Sequence, residues 1–351
     1  MILHIATVNK FMVPFISLIN NEFPDQDHEF WLSGARKLKS TPIERRKNIH
    51  FDKDTLGDRA LSLIKLFLLM NRAEKIILHG LNRRVLNVLL VNPHLLKKCY
   101  WVIRGGDLYQ YQSPKPKVSQ KIKELKRSFI IKRLGHIVTY IPGDVELARK
   151  WYGATGKYHE CLIYISNVVD FDIVPESPKI QNPDSKIKIL LGNSADPSNN
   201  HIEALERLLP YKEHDIKIYC PLSYGDQSYA QKVIDSGHNH FGDKFVPLTS
   251  FLAFDKYVEF LKSIDIAIFN HHRQQAMGNT ITLLAMGKRV FLRSDVTQWK
   301  MLENLGFTLG DSADITLRPF DNSKIYENSR IARENFSRRT LVRQLTKIFE
   351  E

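Results

Sequence analysis

The chain has 351 residues, 43% of them hydrophobic and 25% charged, with 17 Gly and 15 Pro. This composition is typical of a globular protein with room for two domains, and it excludes collagen-like, low-complexity and wholly disordered chains. The net charge of +13 is uneven: residues 1–150 carry 27 basic and 13 acidic side chains (27 − 13 = +14), and residues 151–351 carry 24 and 25 (24 − 25 = −1). We therefore expect the first half to meet a polyanionic partner.

Cysteine usage and hydropathy indicate the compartment. The chain has an odd number of cysteines, Cys99, Cys161 and Cys220, and they form no CxxC pair. We therefore expect neither a disulfide framework nor a zinc knuckle, and we expect the protein to reside in a reducing cytoplasm. The opening MILHIATVNKF predicts a strand and not a signal peptide, because no basic residue precedes its apolar stretch. Longer apolar stretches fall short of the roughly 20 residues that span a bilayer, so any membrane contact is expected to be peripheral.

Short strand-like runs alternate with stretches of helical period along the chain. In the first half, strands are predicted at 2–8, 76–78, 100–103 and 136–140, and helices at 11–23, 83–91 and 144–152. In the second half, strands at 187–191, 216–220, 244–247, 264–269 and 289–292 are each followed by a helix, at 201–209, 229–236, 254–262, 278–285 and 297–305. Such alternation predicts α/β units with parallel sheets.

A proline-rich segment, PESPKIQNP at 175–183, interrupts this alternation and predicts an extended linker. We place an N-terminal domain at 1–172, a linker at 173–185 and a C-terminal domain at 186–325. A final helical pattern at 326–351 closes the second domain or packs back on the first, and the sequence leaves both open. Two βα-repeating domains of this kind predict twin Rossmann-like domains around a central cleft, where open α/β sheets place their ligands.

The strongest motif is LLGNSADPSNNHIEAL at 190–205, in which a buried strand ends at a glycine and a polar loop leads into a helix. Gly192 permits close approach of a ligand to the backbone, and Asn193 and Ser194 supply hydrogen bonds beside a helix N-terminus that attracts anions. The pattern indicates a pyrophosphate contact of a nucleotide-linked donor. An ordinary strand-to-helix turn is the alternative.

A second motif, IFNHHRQQAMGNTITLLAMGK at 268–288, places a run of polar residues between a buried strand and an apolar helix. Arg273 is suited to paired hydrogen bonds with phosphate oxygens, and the backbone N–H groups after Gly278 form an anion site without a metal. The predicted donor-binding residues here are His272, Arg273, Gln274, Gln275, Gly278, Asn279 and Thr280. Tyr224, in a third loop, either stacks on a nucleobase or covers a strand end.

In the first half, Arg104, Gly105, Gly106 and Asp107 directly follow a predicted strand. Asp107 is a candidate general base toward an acceptor hydroxyl, and His79 occupies the same kind of strand-end position. Each residue taken alone is also typical of a turn or a helix cap. Arg104 is expected to help form a sugar or phosphate subsite.

Residues 115–134, KPKVSQKIKELKRSFIIKRL, contain eight Lys or Arg and one Glu. Apolar residues at 118, 122, 125 and 129 fall on one side of a helix, which predicts a helix lying on an anionic bilayer; an ordinary amphipathic helix with a solvated basic face is the alternative. The expected membrane or acceptor contacts are Arg104, Lys117, Lys121, Lys126, Arg127, Lys132 and Arg133. No nucleic-acid-binding signature accompanies the charge, so nucleic acid is not expected.

Metal and cofactor motifs are not found in the sequence. Three Asp-x-Asp pairs, at 25–27, 52–54 and 170–172, are interpreted as solvated surface, and the histidines lack metal-site spacing, so we predict no metal. The patterns of dinucleotide-binding sites, P-loops, zincins and α/β-hydrolases are also missing, and no cofactor is expected.

The two C-terminal motifs, the region of Trp299, and weaker matches at HG (79–80), GGDLY (105–109) and GD (143–144) together resemble a known family. They are similar to the 4-acetamido-4-deoxyfucosyl (Fuc4NAc) transferases of enterobacterial common antigen synthesis, with a related O-antigen or capsule enzyme as the alternative. The resemblance implies a GT-B glycosyltransferase with a dTDP-sugar (or UDP-sugar) donor in the C-terminal domain and a polyprenyl-diphosphate-linked acceptor on the N-terminal domain. It also implies a donor-site role for Gly192, Asn193, Ser194, Arg273, Gln274, Gln275 and Gly278. For Asp107, the candidate base, the resemblance is only suggestive.

We therefore predict a peripheral enzyme at the cytoplasmic face of a bacterial inner membrane, with an anionic membrane surface as a partner. Two rival functions remain. A nucleotide-sugar 2-epimerase can use the same two-domain architecture without a lipid acceptor, and a non-catalytic scaffold can keep the membrane surface without a working donor site.

Overall fold

The computed structural model describes residues 1–34, 47–52, 56–114, 116–172, 174 and 186–351. They form two compact units: unit 1 contains residues 1–166 and 339–351, and unit 2 contains residues 167–338. Apart from Val174, the predicted linker lies outside the described residues, as do most of the basic residues at 36–47.

Unit 1 is built on a seven-stranded sheet in the order β3-β2-β1-β4-β5-β6-β7. Every pairing in it is parallel, as the alternation of strands and helices predicts. The strands are β1 (Ile2–Thr7), β2 (His28–Ser33), β3 (Ile49–Phe51), β4 (Lys75–His79), β5 (Cys99–Val102), β6 (His136–Thr139) and β7 (Lys157–Glu160).

The helices of unit 1 cover both faces of this sheet. Those within its first 166 residues are α1 (Met12–Glu22), α2 (Leu56–Arg72), α3 (Arg83–Val91), α4 (Gly106–Tyr109), α5 (Val118–Arg133) and α6 (Pro142–Tyr152). Residues of α2, α3, α5 and α6 share one apolar core with Leu3, Ile5, Ile76 and Leu78 of the sheet. These four helices therefore form one layer on a single face of the sheet.

Unit 2 repeats this plan with a six-stranded parallel sheet in the order β10-β9-β8-β11-β12-β13. Its strands are β8 (Ile187–Leu191), β9 (Ile216–Pro221), β10 (Phe245–Leu248), β11 (Ile266–Phe269), β12 (Arg289–Leu292) and β13 (Gly310–Asp311). Its helices are α7 (His201–Leu208), α8 (Gln227–Phe241), α9 (Phe254–Ser263), α10 (Met277–Ala285), α11 (Thr297–Asn304) and α12 (Asn322–Asn335). Both units thus have the strand order of Rossmann-like domains.

The final helical pattern forms two helices, α12 and α13 (Arg338–Glu350), because the backbone leaves helical geometry at Phe336. Most of α13 belongs to unit 1. The ammonium of Lys75 donates to the carbonyl oxygens of Ile348 and Phe349 at 3.0 and 2.6 Å, and Lys157 pairs with Glu351 at 2.7 Å. This helix therefore packs back on the sheet of unit 1.

Within the described part of the chain, none of the helices combines the length and apolar character that a membrane span requires.

Candidate functional site

The two C-terminal motifs meet at one point of the sheet in unit 2. Their loops follow β8 and β11, which are neighbours at the centre of the sheet, where the strand order changes direction. Open α/β sheets bind ligands outside the carboxyl ends of the strands at such a switch point. The candidate donor site lies there.

Gly192 ends β8 in a left-handed conformation, with φ +68°. A β-carbon at this position would lie 2.3 Å from Nε2 of His201 and 2.9 Å from Oδ1 of Asn199. The backbone N–H of Gly192 donates to the carbonyl oxygen of Ile268 at 2.9 Å, which ties this loop to β11. Only glycine fits this position without displacing its neighbours.

A buried polar network lies next to Gly192. Nε2 of His271 lies 2.7 Å from Oδ1 of Asn199 and 3.2 Å from Oδ1 of Asn193, so His271 is the donor through Nε2–H. Asn199 Oδ1 also accepts the backbone N–H of Asn193 at 3.0 Å. Burial lowers the pKa of His271 well below its usual value, and neighbouring His201 and Arg273 lower it further. The neutral imidazole therefore fixes the orientation of the Asn193 amide.

Arg273 lies at the half-buried edge of this network. Its Nη2 lies 3.5 Å from Oδ2 of Asp196, and its Nη1 donates to the carbonyl oxygen of Gln274 at 3.3 Å. Burial raises the pKa of Asp196, but hydrogen bonds from Ser198 and the charge of Arg273 outweigh burial, and the net pKa is lowered. The Asp196 carboxylate is thus ionised at neutral pH and orients the guanidinium.

Gln275 connects the two loops directly. Its Nε2 donates to Oδ1 of Asn193 at 3.2 Å, and its Oε1 accepts the hydroxyl of Ser198 at 2.7 Å. Its backbone N–H donates to Oε1 of Gln298 at 3.0 Å. The structure therefore brings Asn193, Arg273 and Gln275 together.

Helix α10 begins after Ala276, which has φ +57°. Gly278 and Asn279 lie in its first turn, where backbone N–H groups are free of helical partners. The prediction for Thr280 is corrected: its backbone N–H donates to the carbonyl oxygen of Ala276 at 2.9 Å, and its side chain is fully buried. The backbone N–H of Thr280 is therefore taken by the helix and does not contribute to an anion site.

The remaining predicted donor-site residues lie around these loops. Ser194 is buried and accepts Nδ2 of Asn199 at 3.4 Å, so its hydroxyl supports the loop from within. Tyr224 is 43% exposed, and its carbonyl oxygen accepts the backbone N–H of Ala195 at 2.8 Å. His272 is exposed. Tyr224 and His272 thus lie beside the two loops of the candidate site.

Sequence reasoning missed several supporting residues of this site. Asn199, His201 and His271 form its buried floor, while Asp196 and Ser198 brace Arg273 and Gln275. The signal available in the sequence was their position, since all five fall within the two loops that the motifs define.

In unit 1, Asp107 lies in the first turn of α4 and is extensively hydrogen-bonded. Its Oδ1 accepts the backbone N–H groups of Arg104 and Leu108 at 2.9 and 3.0 Å, and its Oδ2 accepts the indole N–H of Trp101 at 2.8 Å. A carboxylate has about four lone-pair sites, so one site on Oδ2 remains. The exposed Arg104 guanidinium lies 6.0 Å from the ring centroid of Tyr164.

The prediction of His79 as a base is corrected by its burial. His79 is 4% exposed and belongs to a chain of hydrogen-bonded rings. Its Nδ1 lies 2.9 Å from the Tyr164 hydroxyl and its Nε2 lies 3.2 Å from Nδ1 of His4, whose Nε2 lies 3.0 Å from Nδ1 of His28. Burial lowers the pKa of His79 to about 3. Both ring nitrogens are occupied, so His79 cannot accept a proton from a substrate.

Helix α5 presents its basic residues as predicted from its period, with one exception. Lys117, Lys121, Lys126, Lys132 and Arg133 are exposed. Arg127 is only 1% exposed; its Nη2 donates to the carbonyl oxygen of Asp107 and lies 3.2 Å from the Tyr152 hydroxyl. Arg127 therefore cannot contact a membrane, and it holds the segment that carries Asp107.

Among the described residues, no group of three or more His, Cys, Asp or Glu side chains is arranged to hold a metal ion. The three cysteines are buried, and burial raises the pKa of the Cys99 and Cys161 thiols to about 12.

Solved structures similar to this chain include two glycosyl-transferring proteins and a sucrose-phosphate synthase, as follows. A glycosyltransferase from Rickettsia africae has a TM-score of 0.67 at 14% identity and covers 99% of this chain and 97% of its own. HepE from Anabaena, in complex with UDP-glucose, has a TM-score of 0.68 at 12% identity, covering 99% of both chains. Sucrose-phosphate synthase from Thermosynechococcus elongatus has a TM-score of 0.68 at 10% identity, and the match covers 99% of this chain and 98% of the synthase chain. The fold is GT-B, with two Rossmann-like domains.

The sequence also matches a glycosyltransferase family over most of its length. The match runs from residue 3 to residue 310 and includes both strand-end motifs of unit 2 and the Asp107 segment of unit 1. The protein is therefore an enzyme, a glycosyltransferase, and belongs to the 4-alpha-L-fucosyltransferase family, glycosyl transferase group 56.

Proposed function

We propose that this glycosyltransferase moves a deoxyamino sugar of the Fuc4NAc type from a dTDP-sugar to a polyprenyl-diphosphate-linked saccharide, in the synthesis of a bacterial surface polysaccharide. The observation that carries the proposal is the convergence of Asn193, Arg273 and Gln275 beside Gly192 at the switch point of unit 2. A UDP-sugar is the alternative donor, since HepE was solved with UDP-glucose.

The donor diphosphate binds where positive charge and N–H groups are available. Arg273 and the first turn of α10 supply both, and the buried His271–Asn199 floor keeps the Asn193 amide oriented. During transfer, the bond from the anomeric carbon to the diphosphate oxygen breaks as the bond to the acceptor oxygen forms. Arg273 and α10 stabilise the negative charge that develops on the departing diphosphate.

Asp107 is the candidate group for the acceptor proton. The N–H groups of Arg104, Leu108 and Trp101 fix its carboxylate, and the remaining site on Oδ2 accepts the proton of the acceptor hydroxyl. Arg104, exposed on the same segment, pairs with the acceptor diphosphate.

The acceptor's lipid places the protein peripherally on the cytoplasmic face of the inner membrane. Exposed Lys and Arg side chains on α5 favour an anionic surface, each contributing about 1 kcal/mol near it. The charge of +14 over residues 1–150 (27 basic less 13 acidic) supports the same orientation.

The test is thermal unfolding of the full chain with dTDP, UDP or GDP at millimolar concentration. We expect dTDP to raise the unfolding temperature most, because a ligand that binds only the folded state stabilises it by mass action. Arg273→Ala should abolish most of this shift. No shift with any of the three nucleotides would contradict the proposed donor site.

A further inference from the structure

Exposed large hydrophobic side chains are concentrated in unit 1. Of the fifteen such side chains among residues whose burial is described, ten lie between Leu61 and Phe129, and five lie in unit 2. Scattered apolar residues are normal on a protein surface, but a concentration of them marks an interaction site.

Helix α2 carries four of these ten side chains. Leu61, Leu63, Ile64 and Leu68 are 66%, 43%, 56% and 53% exposed, and we call them the α2 patch. Leu66 and Met70 are buried in the core of the unit, on the side of the helix opposite Leu61, Ile64 and Leu68, and Leu63 lies at the edge of the buried side. Helix α2 is therefore apolar on both its inner and outer sides, which a helix facing only water would not be.

Helix α5 shows the same division. Val118, Ile122, Leu125 and Phe129 are 71%, 48%, 70% and 40% exposed, while Ile130 and Ile131 are buried. The buried residues of α2 and α5 share one core on the same face of the sheet. The outer sides of the two helices therefore face the same way.

The charge around these apolar residues identifies their partner. Exposed basic side chains alternate with the apolar stripe of α5, and Lys65 is exposed within the α2 patch. Lys and Arg side chains around an apolar face are typical of surfaces that lie in an anionic membrane interface. A second protein copy would have to cover these ammonium groups as well as the apolar residues.

We propose that the α2 patch inserts into the acyl boundary of an anionic bilayer, together with the outer stripe of α5. The inference rests on the proposed function for its biological setting, and it adds a second lipid-contacting helix to the one that the basic sequence indicates. The two helices contribute differently to membrane binding. The basic side chains of α5 provide most of the electrostatic attraction, and the apolar side chains of α2 insert into the bilayer.

The test compares two double variants of the full chain. The α2 variant carries Ile64→Ser and Leu68→Ser. The unit 2 variant, its matched control, carries Phe251→Ser and Leu305→Ser and so also loses two exposed apolar side chains. Binding is measured by flotation with vesicles of equal parts phosphatidylglycerol and phosphatidylethanolamine. We expect the α2 variant to bind at least about tenfold more weakly, and the unit 2 variant to bind as the unmodified protein does. The α2 variant should keep its salt dependence, whereas Lys121→Glu with Lys126→Glu should lose it.

Wild-type binding by the α2 variant would overturn the proposal. The proposal would also be overturned if light scattering showed a dimer for the unmodified protein and a monomer for the α2 variant, because the α2 patch would then be covered by a second copy of the chain. If the double variant does not fold, Leu68→Trp replaces it: its fluorescence should shift to shorter wavelength on vesicles, and no shift would overturn the proposal. Thermal shifts with dTDP are measured in parallel, because their loss would contradict the donor site and leave vesicle binding unaffected.

Discussion

The imidazole of His201 packs directly against the backbone of Gly192, so that a β-carbon on residue 192 would lie 2.3 Å from Nε2. This contact fixes the first residue of the candidate donor loop against the first residue of α7. The loop is thus held from behind by α7, and the backbone N–H of Asn193 is fixed on Oδ1 of Asn199 at 3.0 Å.

Gly192→Ala should therefore lower both stability and nucleotide binding. The left-handed backbone and the contact with His201 together should cost about 2–4 kcal/mol in the free energy of unfolding. Urea unfolding and dTDP titration measure the two effects. The matched control is Gly153→Ala, which shares a left-handed backbone (φ +64°) but whose β-carbon would meet only the flexible Lys132 side chain, at 3.8 Å. Equal losses in both variants would contradict a role for the His201 contact.

Arg273→Ala should weaken dTDP-sugar binding by about 10- to 100-fold, since a charge-assisted hydrogen bond contributes about 1.5–3 kcal/mol. Arg273→Lys should recover only part of the loss, because a lysine cannot form the paired contacts of a guanidinium. Arg330→Ala, on the exposed side of α12, is the control and should bind normally. Isothermal titration with dTDP checks all three, and normal binding by Arg273→Ala would exclude this residue from the donor site.

Asp107→Asn should reduce kcat by about 10²–10⁴-fold if the carboxylate accepts the acceptor proton. Trp101→Phe removes the indole donor to Oδ2 and keeps the carboxylate, so it should retain most of the turnover. The kcat of each variant is measured from initial rates with saturating donor and a short-chain diphosphate acceptor. Near-normal kcat in Asp107→Asn would show that Asp107 only caps α4.

The location of the site could be predicted from the sequence, because parallel strands place the loops that follow them at one edge of a sheet. Gly192, Asn193, Arg273 and Gln275 were proposed on this basis, and the structure brings their two loops together. The buried partners were not found, since Asn199 and His271 act through hydrogen bonds between loops 72 residues apart. Such pairings depend on how two strand ends meet in space, and no local periodicity encodes them.

Arg127 shows a different limit. Its positive charge suggested a solvated residue, yet it lies three and four positions before Ile130 and Ile131, which are buried. Helical period alone would have placed it on the inner face of α5. His79 was likewise assigned by its strand-end position, although a strand in the middle of a sheet with helices on both faces buries most of its side chains.

Arg127→Met should destabilise unit 1 by about 2–4 kcal/mol, because it removes the donor to the Asp107 carbonyl and leaves the buried Tyr152 hydroxyl with only its 3.4 Å hydrogen bond to the Leu108 carbonyl oxygen. Arg133→Met, on the exposed side of the same helix, should change stability by less than about 0.5 kcal/mol. Hydrogen exchange should show faster opening of α4 only in the first variant. Unchanged exchange there would contradict the positioning role of Arg127.

Acid should unfold the protein before its carboxylates titrate. Burial lowers the pKa of His28 and His201 to about 4 and that of His79 to about 3, and it also depresses the pKa of His4 and His271. The unfolded chain therefore binds more protons than the folded chain below a pH of about 6.5, and stability is lost as the pH falls from there toward 4. The urea concentration at the midpoint of unfolding, measured from pH 8 to pH 4, checks this loss of stability. A flat profile between pH 6.5 and pH 5 would contradict it.

The chain passes from unit 1 to unit 2 after residue 166 and returns after residue 338. During synthesis, unit 2 is therefore the first to have all its residues available, although it begins later in the sequence. Until α13 is made, His4 and His28 lack the ring of Phe349, which lies 6.0 and 4.7 Å from theirs. The order in which the residues of the two units become complete is thus opposite to the order in which the units begin on the ribosome.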